Sequence, residues 1–462
     1  MQQESFDIAI IGAGVVGCAL ARRLTLDGAR VIVLEKALDV LDGASKGNSA
    51  ILHTGFDAPS DSLEKSCIAA GYREYLEIAA SLSLPVLKSG AMVLAWNEDQ
   101  LEQLSTLIEK AHKNGVCDVR MLTRAAILER EPNLSDNVTG GFIVPGEYLI
   151  DPWGTAHAYI LQALENGATL LRDAEVYSGE FDGSTWALKT GQGQIKAQAV
   201  VNCAGLFGDA VDERLLGMKD FTVTPRKGQF IVFEKAASKL VSSIILPVPT
   251  KTTKGVVICR TIFGNVLVGP TAEDQVSRTD ASTKRQTLLD LWGKGIEMLP
   301  GLETCEITAA YAGLRPATEF SEYQVKDRRE RNYVTVGGIR STGLSAALGL
   351  ARHVAGLLMD AGARFDPIPA PATIQPERLS DYHERDWQSE GSGDIVCHCE
   401  LVTRREIERV LSGPMPPATF AGLKRRTRAT MGGCQGFYCA GELALMTQDR
   451  LARPIGYEDD HG

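Results

Sequence analysis

FDIAIIGAGVVGCALARRLTLDGARVIVLEK, the stretch beginning at Phe6, narrows the folds open to this chain more than any other part of it. An apolar strand (Ile8 to Ile11) passes through Gly12-x-Gly14-x-x-Gly17 into a helix. Beyond Gly28 a second apolar strand (Val31 to Leu34) ends in Glu35 and Lys36. Each part has a physical task. Gly12 makes the tight turn, Gly14 lets backbone approach a pyrophosphate, and Gly17 permits close helix packing. The helix N-terminus offers unpaired N–H groups and a favourable dipole to phosphate charge. Glu35, 18 residues past Gly17, stands where a carboxylate accepts hydrogen bonds from a ribose hydroxyl. A glycine triplet alone also reads as a turn with no nucleotide. The ordered series of strand, triplet, helix, strand and acid points to a dinucleotide in a Rossmann-type α/β unit.

A chain of 462 residues exceeds one ordinary core, so two or three domains are expected. Its net charge of −10 argues against a nucleic-acid partner held through many phosphates, yet one or two pocket arginines suffice for a small anionic substrate. No apolar run reaches the roughly 18 residues of a transmembrane helix. IAIIGAGVVGCALA follows Glu4 and Asp7, lacks a basic flank and is broken by glycines, so it reads as strand and helix, not as a signal peptide. Of ten cysteines, six are scattered in apolar surroundings and four cluster near the C-terminus. That usage suits a reducing cytoplasm with one thiolate site better than a disulfide framework.

DGASKGNSAILHTGF (42 to 56) places small and hydroxyl residues, among them Ser45, Asn48 and Ser49, directly after the acid, where a flavin's diphosphate and ribityl chain need donors. Later come AQAVVNCAGLFGDAV, a strand into Ala204-Gly205, and YVTVGGIRSTGLSAALGLARHVAGLL, a strand, a Gly-rich turn and an amphipathic helix. GNSAILHTGF with SLEKSCIAAG, AYAGLRPAT (310 to 318) and GIRSTGLSAALGLA (338 to 351) resemble the FAD-binding framework of the glycine oxidase/D-amino acid oxidase superfamily. Within it the chain is most similar to anaerobic glycerol-3-phosphate dehydrogenase catalytic subunits and L-2-hydroxyglutarate dehydrogenases, over essentially its whole length. The resemblance implies FAD contacts at Gly12, Gly14, Gly17, Glu35, Lys36, Ser45, Asn48, Ser49, the Val176 backbone, Ala204, Gly205, Gly338, Thr342, Gly343 and Leu344.

It also implies a discontinuous FAD domain (1–80, 151–215 and 331–365) with an inserted mixed-sheet substrate domain (81–150 and 216–330). The fold class is α/β locally and α+β overall. In LIDPWGTAHAYILQALENGATLL, Asp151 is expected as a helix N-cap, Pro152 at the first helical position and Gly167 as the stop. ARFDPIPAPATIQPERLSDYHERDWQSEGSGD carries four prolines and a polar Gly/Ser tail, so 366–391 reads as a linker to a terminal module at 392–450.

That module holds Cys397-x-Cys399 and, 34 residues on, Cys434-x4-Cys439. Four thiolates in two close pairs fit tetrahedral zinc or an iron–sulfur cluster. The one-residue spacer and MGGCQGFYC resemble the bacterioferritin-associated ferredoxin type, which implies a [2Fe-2S] centre on Cys397, Cys399, Cys434 and Cys439, with His398 shaping the turn. Lys424, Arg425, Arg426 and Arg428 precede the second pair. They read as cations favouring cluster reduction, as a solvated helix face, or as a docking surface for an electron acceptor.

A flavin oxidises CH–OH or CH–NH by taking hydride at N5 while a base removes the proton. By resemblance His53 faces the ring as base or hydrogen-bond partner; the alternative is a histidine that only packs there. Arg315, at an expected strand end before Pro316, is placed to grip a carboxylate or phosphate, with a surface ion pair as the alternative. Arg340 is a second anion candidate, where related glycerol phosphate enzymes commonly carry lysine. Arg226 and Lys227 either add charge at the mouth or belong to an exposed hairpin. The expected activity is dehydrogenation of a small anionic hydroxy compound, with electrons leaving through the cluster to an electron-accepting protein or the quinone pool, in the cytoplasm or peripherally at the membrane's inner face. An amine oxidase of the glycine oxidase type and a non-catalytic electron-transfer subunit are the competing readings.

Overall fold

A computed structural model describes residues 5–249 and 255–456. Its N-terminal strand β1 (Ser5–Ile11), helix α1 (Val15–Leu26) and strand β2 (Val31–Leu34) form the expected unit. β1 is flanked in parallel by β2 and by the strand Gly193–Asn202, which pairs in parallel with Tyr333–Gly337. Eight strands drawn from residues 5–34, 169–202 and 324–337 make this sheet. The parallel centre carries unbroken apolar runs because helices cover it. α1 packs against Gly154–Glu165 and Gly343–Asp360, and Leu63–Ile78 against the latter.

A nine-stranded mixed sheet is drawn from residues 91–144 and 223–318. Its longest pairing is antiparallel, Val223–Phe233 against Ile307–Thr318, while Ile244–Pro247 runs parallel to Ala91–Ala95. Gly47 in the loop after β2 and Gly313 on the long strand are pressed backbone to backbone, where neither tolerates a side chain. This contact seats one sheet over the other's ligand-facing loops. Arg315 lies inside that strand, which runs on to Thr318, and not at its end as expected. Pro316 faces Pro225 across the pair.

The helix after Asp151 starts at Gly154, two residues later than expected, so Pro152 precedes it. Asp151 still satisfies the helix entry, its Oδ1 accepting from the N–H of Trp153 at 2.9 Å and of Gly154 at 2.8 Å.

The terminal module has its own core, with Val402, Ile407, Leu411, Leu423 and Leu443 buried among the hairpin Ile395–Cys397/Val402–Thr403 and three helices. The proline-rich stretch before it is a strap fastened to both sides. Ile368 N–H donates to Leu26 O at 3.0 Å and Asp381 N–H to Ile262 O at 2.9 Å, while Arg385 pairs with Glu406 at 3.2 Å inside the module. Composition alone made it a linker because prolines remove ladder donors, yet they leave side chains free to bond.

The basic run also differs from expectation. Arg425, Arg426 and Arg428 are buried. Arg425 reaches Asp42 at 3.4 Å, Arg426 reaches Asp39 at 3.3 Å, and Arg428 reaches Glu400 at 2.8 Å. Asp39 further accepts from the N–H of Thr419 at 2.8 Å and from Arg172 at 3.2 Å. Arg425 and Arg426 are therefore not a solvated or docking face but pins between module and body, whereas Arg428 is tied within the module to Glu400 and reaches the body at Asn265 Oδ1, 3.4 Å away, roles that only the opposing residues reveal. His157 completes the joint. Burial, then Arg426 and Arg425, hold it well below its usual range, so its neutral ring nitrogen accepts from Arg426 Nε at 3.4 Å.

Candidate active site and redox centre

One cavity of about 770 Å³ runs between the two sheets. At one end it is walled by Gly12, Gly14, Glu35, Lys36 and Val176, then by Ser45, Asn48, Ser49, Ala204 and Gly205, and at the other end by His53, Arg315, Arg340, Gly343 and Leu344. Such an extended trough suits a dinucleotide whose far end meets a substrate. Gly12 has φ +103°, and a Cβ there would lie 2.7 Å from Cys203 O. Gly17 lies behind it within α1, facing Gly12 O.

Glu35 folds back over the glycine turn, Oε2 accepting from Ala13 N–H at 2.6 Å and Oε1 from Ala37 N–H at 2.9 Å. Burial pushes its carboxyl up, opposed by those N–H groups. Lys36 sits 3.3 Å from the centre of the Phe207 ring, and burial lowers its ammonium. Ser45 Oγ accepts from Val15 N–H at 3.0 Å, and Asn48 Oδ1 from Ala50 N–H at 2.7 Å, so both brace the loop they line. The carbonyl of Val176 is taken by Arg214 at 2.6 Å.

Besides Gly17, two expected contacts do not line the cavity. Thr342 is buried behind the wall, bonded to Tyr323 at 2.6 Å and to Glu64 at 2.7 Å, and Gly338 packs on Gln324. Their place in a glycine-rich turn before a helix suggested ligand contact, but the tertiary packing turns them inward.

At the reactive end, His53 Nδ1 meets Glu147 Oε2 at 2.7 Å. Glu147 is wholly buried, and its other oxygen accepts from Thr54 N–H at 2.6 Å and Thr54 Oγ1 at 2.7 Å. A carboxylate at Nδ1 selects the tautomer with hydrogen there and leaves Nε2 as an acceptor. His53 N–H is anchored by Ser345 Oγ at 2.8 Å. Sequence reasoning missed Glu147; its only signal was a lone acid between apolar runs in FIVPGEYLI.

Three of the arginines that line the cavity differ in their partners. Arg226 is bidentate with Asp274 at 2.6 and 3.1 Å, and Arg340 has Glu64 at 3.4 Å. Arg315 has no carboxylate partner among the described residues; its guanidinium touches only Thr271 O, at 3.3 and 3.4 Å. Burial, then the nearby Arg226, push it down to about 10, still charged at neutral pH. Lys227 is buried and paired with Asp280 at 3.1 Å.

In the module the four cysteines approach as two thiol pairs, Cys399 with Cys434 and Cys397 with Cys439. Tyr438 N–H, with those of Gly436 and Phe437, points at the Cys434 sulfur and holds its thiol down. Burial and Cys397 push Cys439 up to about 12, and Thr430 N–H donates to its sulfur. Among the described residues no group of three such side chains converges on a single ion. Two pairs with N–H donors to sulfur match a two-iron cluster, each iron taking two thiolates. His398 is exposed on the turn between its neighbours.

A trough for a dinucleotide that ends at a carboxylate-bonded histidine and an arginine, joined to a four-thiolate module, defines a flavin-dependent redox enzyme. The chain belongs to the FAD dependent oxidoreductase family, whose model matches residues 7–357, and residues 395–446 match the BFD-like [2Fe-2S] binding domain. Its cofactors are FAD and a [2Fe-2S] cluster. It is 32% identical to glycerol 3-phosphate dehydrogenase of Caloramator mitchellensis, over 98% of this chain and 95% of that protein. It is 25% identical to an anaerobic glycerol-3-phosphate dehydrogenase subunit of Haemophilus influenzae, over 97% and 86%. The structure of L-alpha-glycerophosphate oxidase from Mycoplasma pneumoniae with FAD bound superposes with a TM-score of 0.75 at 27% identity, covering 80% of this chain and 98% of that one.

Proposed function

We propose that this chain oxidises a small anionic hydroxy compound, of the glycerol 3-phosphate or 2-hydroxy acid type, and delivers the electrons through its cluster to an electron-accepting protein or the quinone pool. The carrying observation is the pairing, in one cavity, of a Glu147-oriented His53 with an Arg315 that lacks a carboxylate. The bound flavin supplies the hydride acceptor. His53 Nε2 takes the hydroxyl proton, and Glu147 stabilises the imidazolium that results. Arg315 grips phosphate or carboxylate in bidentate fashion, orienting the carbon that loses hydride. Arg340, tied to Glu64, closes the same end of the cavity.

Residues 1–80, 151–215 and 331–365 would hold FAD, and 81–150 with 216–330 the substrate. The names of the relatives point to glycerol 3-phosphate, and the Haemophilus protein, itself one part of a larger enzyme by its name, points to further subunits. Among the described residues no helix is long and apolar enough to cross a membrane, so delivery to quinone would run through such a partner at the membrane face.

Anaerobic flavin bleaching tests the reading. Glycerol 3-phosphate or a 2-hydroxy acid should bleach the flavin, and glycerol should not. Arg315→Ala should raise KM about tenfold to a hundredfold, the worth of a charge-assisted contact of about 1.5–3 kcal/mol, with FAD content unchanged. Bleaching by glycine alone, or by none of these, would sink the proposal.

A further inference from the structure

We propose that electrons pass from the flavin cavity to the [2Fe-2S] centre through Trp153, Phe263 and Arg428. The inference rests on the reading of the chain as a dehydrogenase that empties its flavin through the cluster. Trp153 Nε1 donates to Lys46 O at 3.1 Å, and Lys46 lines the cavity beside Gly47 and Asn48. The indole stacks on Phe263, ring centres 5.3 Å apart at 15°. The Arg428 guanidinium carbon lies 4.1 Å from the centre of the Phe263 ring. Arg428 Nε then donates to Glu400, the residue after Cys399, at 2.8 Å, and two residues along its backbone Thr430 N–H donates to the Cys439 sulfur. The series thus joins the cavity wall to two of the four thiolates without an open gap.

Electron tunnelling falls off exponentially with the empty distance between groups, so stacked rings and hydrogen bonds couple two centres better than solvent or a void does. The surroundings hold this series in place. Phe263 belongs to a loop fixed from three directions: Thr261 N–H to Asn265 O at 2.8 Å, the strap's Asp381 N–H to Ile262 O at 2.9 Å, and Arg428 Nη2 to Asn265 Oδ1 at 3.4 Å. Arg428 (φ +66°) and Thr430 (φ +70°) both sit in the left-handed region. That conformation is unfavourable for side chains with a Cβ, most of all for a β-branched threonine, and it persists only where neighbours enforce it. A simple peg between domains needs neither a stacked aromatic pair nor this backbone.

Substrate oxidation delivers two electrons to the flavin with the hydride. Each crosses singly, converting one ferric iron of the cluster to ferrous, and the hydrogen that arrived with the pair leaves the reoxidised flavin as a proton to solvent. The cluster is emptied twice, by a one-electron protein acceptor or by a quinone that takes two electrons and two protons.

The test uses the full holoenzyme with the flavin reduced by light and a photoreductant, so it does not depend on which substrate is correct. Flavin bleaching, the rise of the reduced-cluster paramagnetic signal and the cluster potential are followed in Phe263→Leu, Phe263→Tyr and Arg428→Lys. Cluster reduction should slow about tenfold in Phe263→Leu and in Arg428→Lys, which loses the planar stacking group, and should recover in Phe263→Tyr, with potential and flavin content unchanged. Equal rates in all variants would overturn the route. So would slowing that tracks a shifted potential or lost iron, which would make these residues structural. If hydroxy substrates fail to bleach the flavin but the light-driven pattern holds, the route stands and the substrate reading falls.

Discussion

Replacing Glu147 with glutamine tests the base directly, because the swap is nearly isosteric and its hydrogen-bond geometry is fixed on three sides. The Thr54 N–H and hydroxyl meet one carboxylate oxygen at 2.6 and 2.7 Å, so the amide oxygen of the glutamine must turn toward Thr54. The amide NH2 then faces His53 Nδ1, where the carboxylate lay at 2.7 Å. A donor there forces the ring into the other tautomer, with hydrogen on Nε2 and no lone pair to take a proton. Lost general-base catalysis corresponds to about 10² to 10⁴ in rate. The charge-assisted bond to His53 is worth about 1.5–3 kcal/mol, which a folded domain of this size withstands. Stopped-flow flavin reduction under anaerobic conditions should therefore show a large fall in the limiting rate with little change in half-saturating substrate. A limiting rate within a few-fold of the parent would refute the assignment of His53 as base and of Glu147 as its orienting partner.

Cys434→Ser should abolish the iron signal while FAD remains bound, since the module's core is separate from the core that holds β1 and α1; retained iron would remove Cys434 from the ligand set. Asp39→Ala strands Arg426 and Arg172 without their shared carboxylate and should cost about 3–5 kcal/mol, read as faster release of the terminal module by protease. Burial raises Asp151 to about 6 against about 3.9 in the unfolded chain, so the folded state holds a proton that the unfolded one has lost, and stability falls as pH rises from about 4 to 6. Asp151→Asn keeps the cap oxygen and should flatten that fall, leaving the variant more stable than the parent by up to about 3 kcal/mol above pH 6 in denaturant titrations.

Local patterns carried the parts of this protein that local physics governs. The turn at Gly12, the close packing of Gly17 and the run of β2 into Glu35 follow from steric limits and hydrophobic periodicity within one stretch of chain, so they are legible from it alone. Cysteine spacing likewise announced a four-thiolate site, because ligands on one turn are neighbours in sequence, but which thiols meet, Cys399 with Cys434 and Cys397 with Cys439, is set across the two turns. What needed tertiary structure was every feature whose partners lie far apart. Glu147 meets His53 across 94 positions, Asp39 meets Arg426 across 387, and Trp153 meets Phe263 from a separate stretch of chain. Charge runs such as Lys424 to Arg428 look alike whether solvated or buried, since burial is decided by what packs opposite. Thr342 and Gly338 show the same limit from the other side: a turn motif sets the backbone bend but not which way it faces. Residue types therefore determined the cofactors, while long-range packing determined which histidine a carboxylate orients, which cavity arginine has no carboxylate among the described residues, and which side chains fill the space between the cavity and the cysteine module.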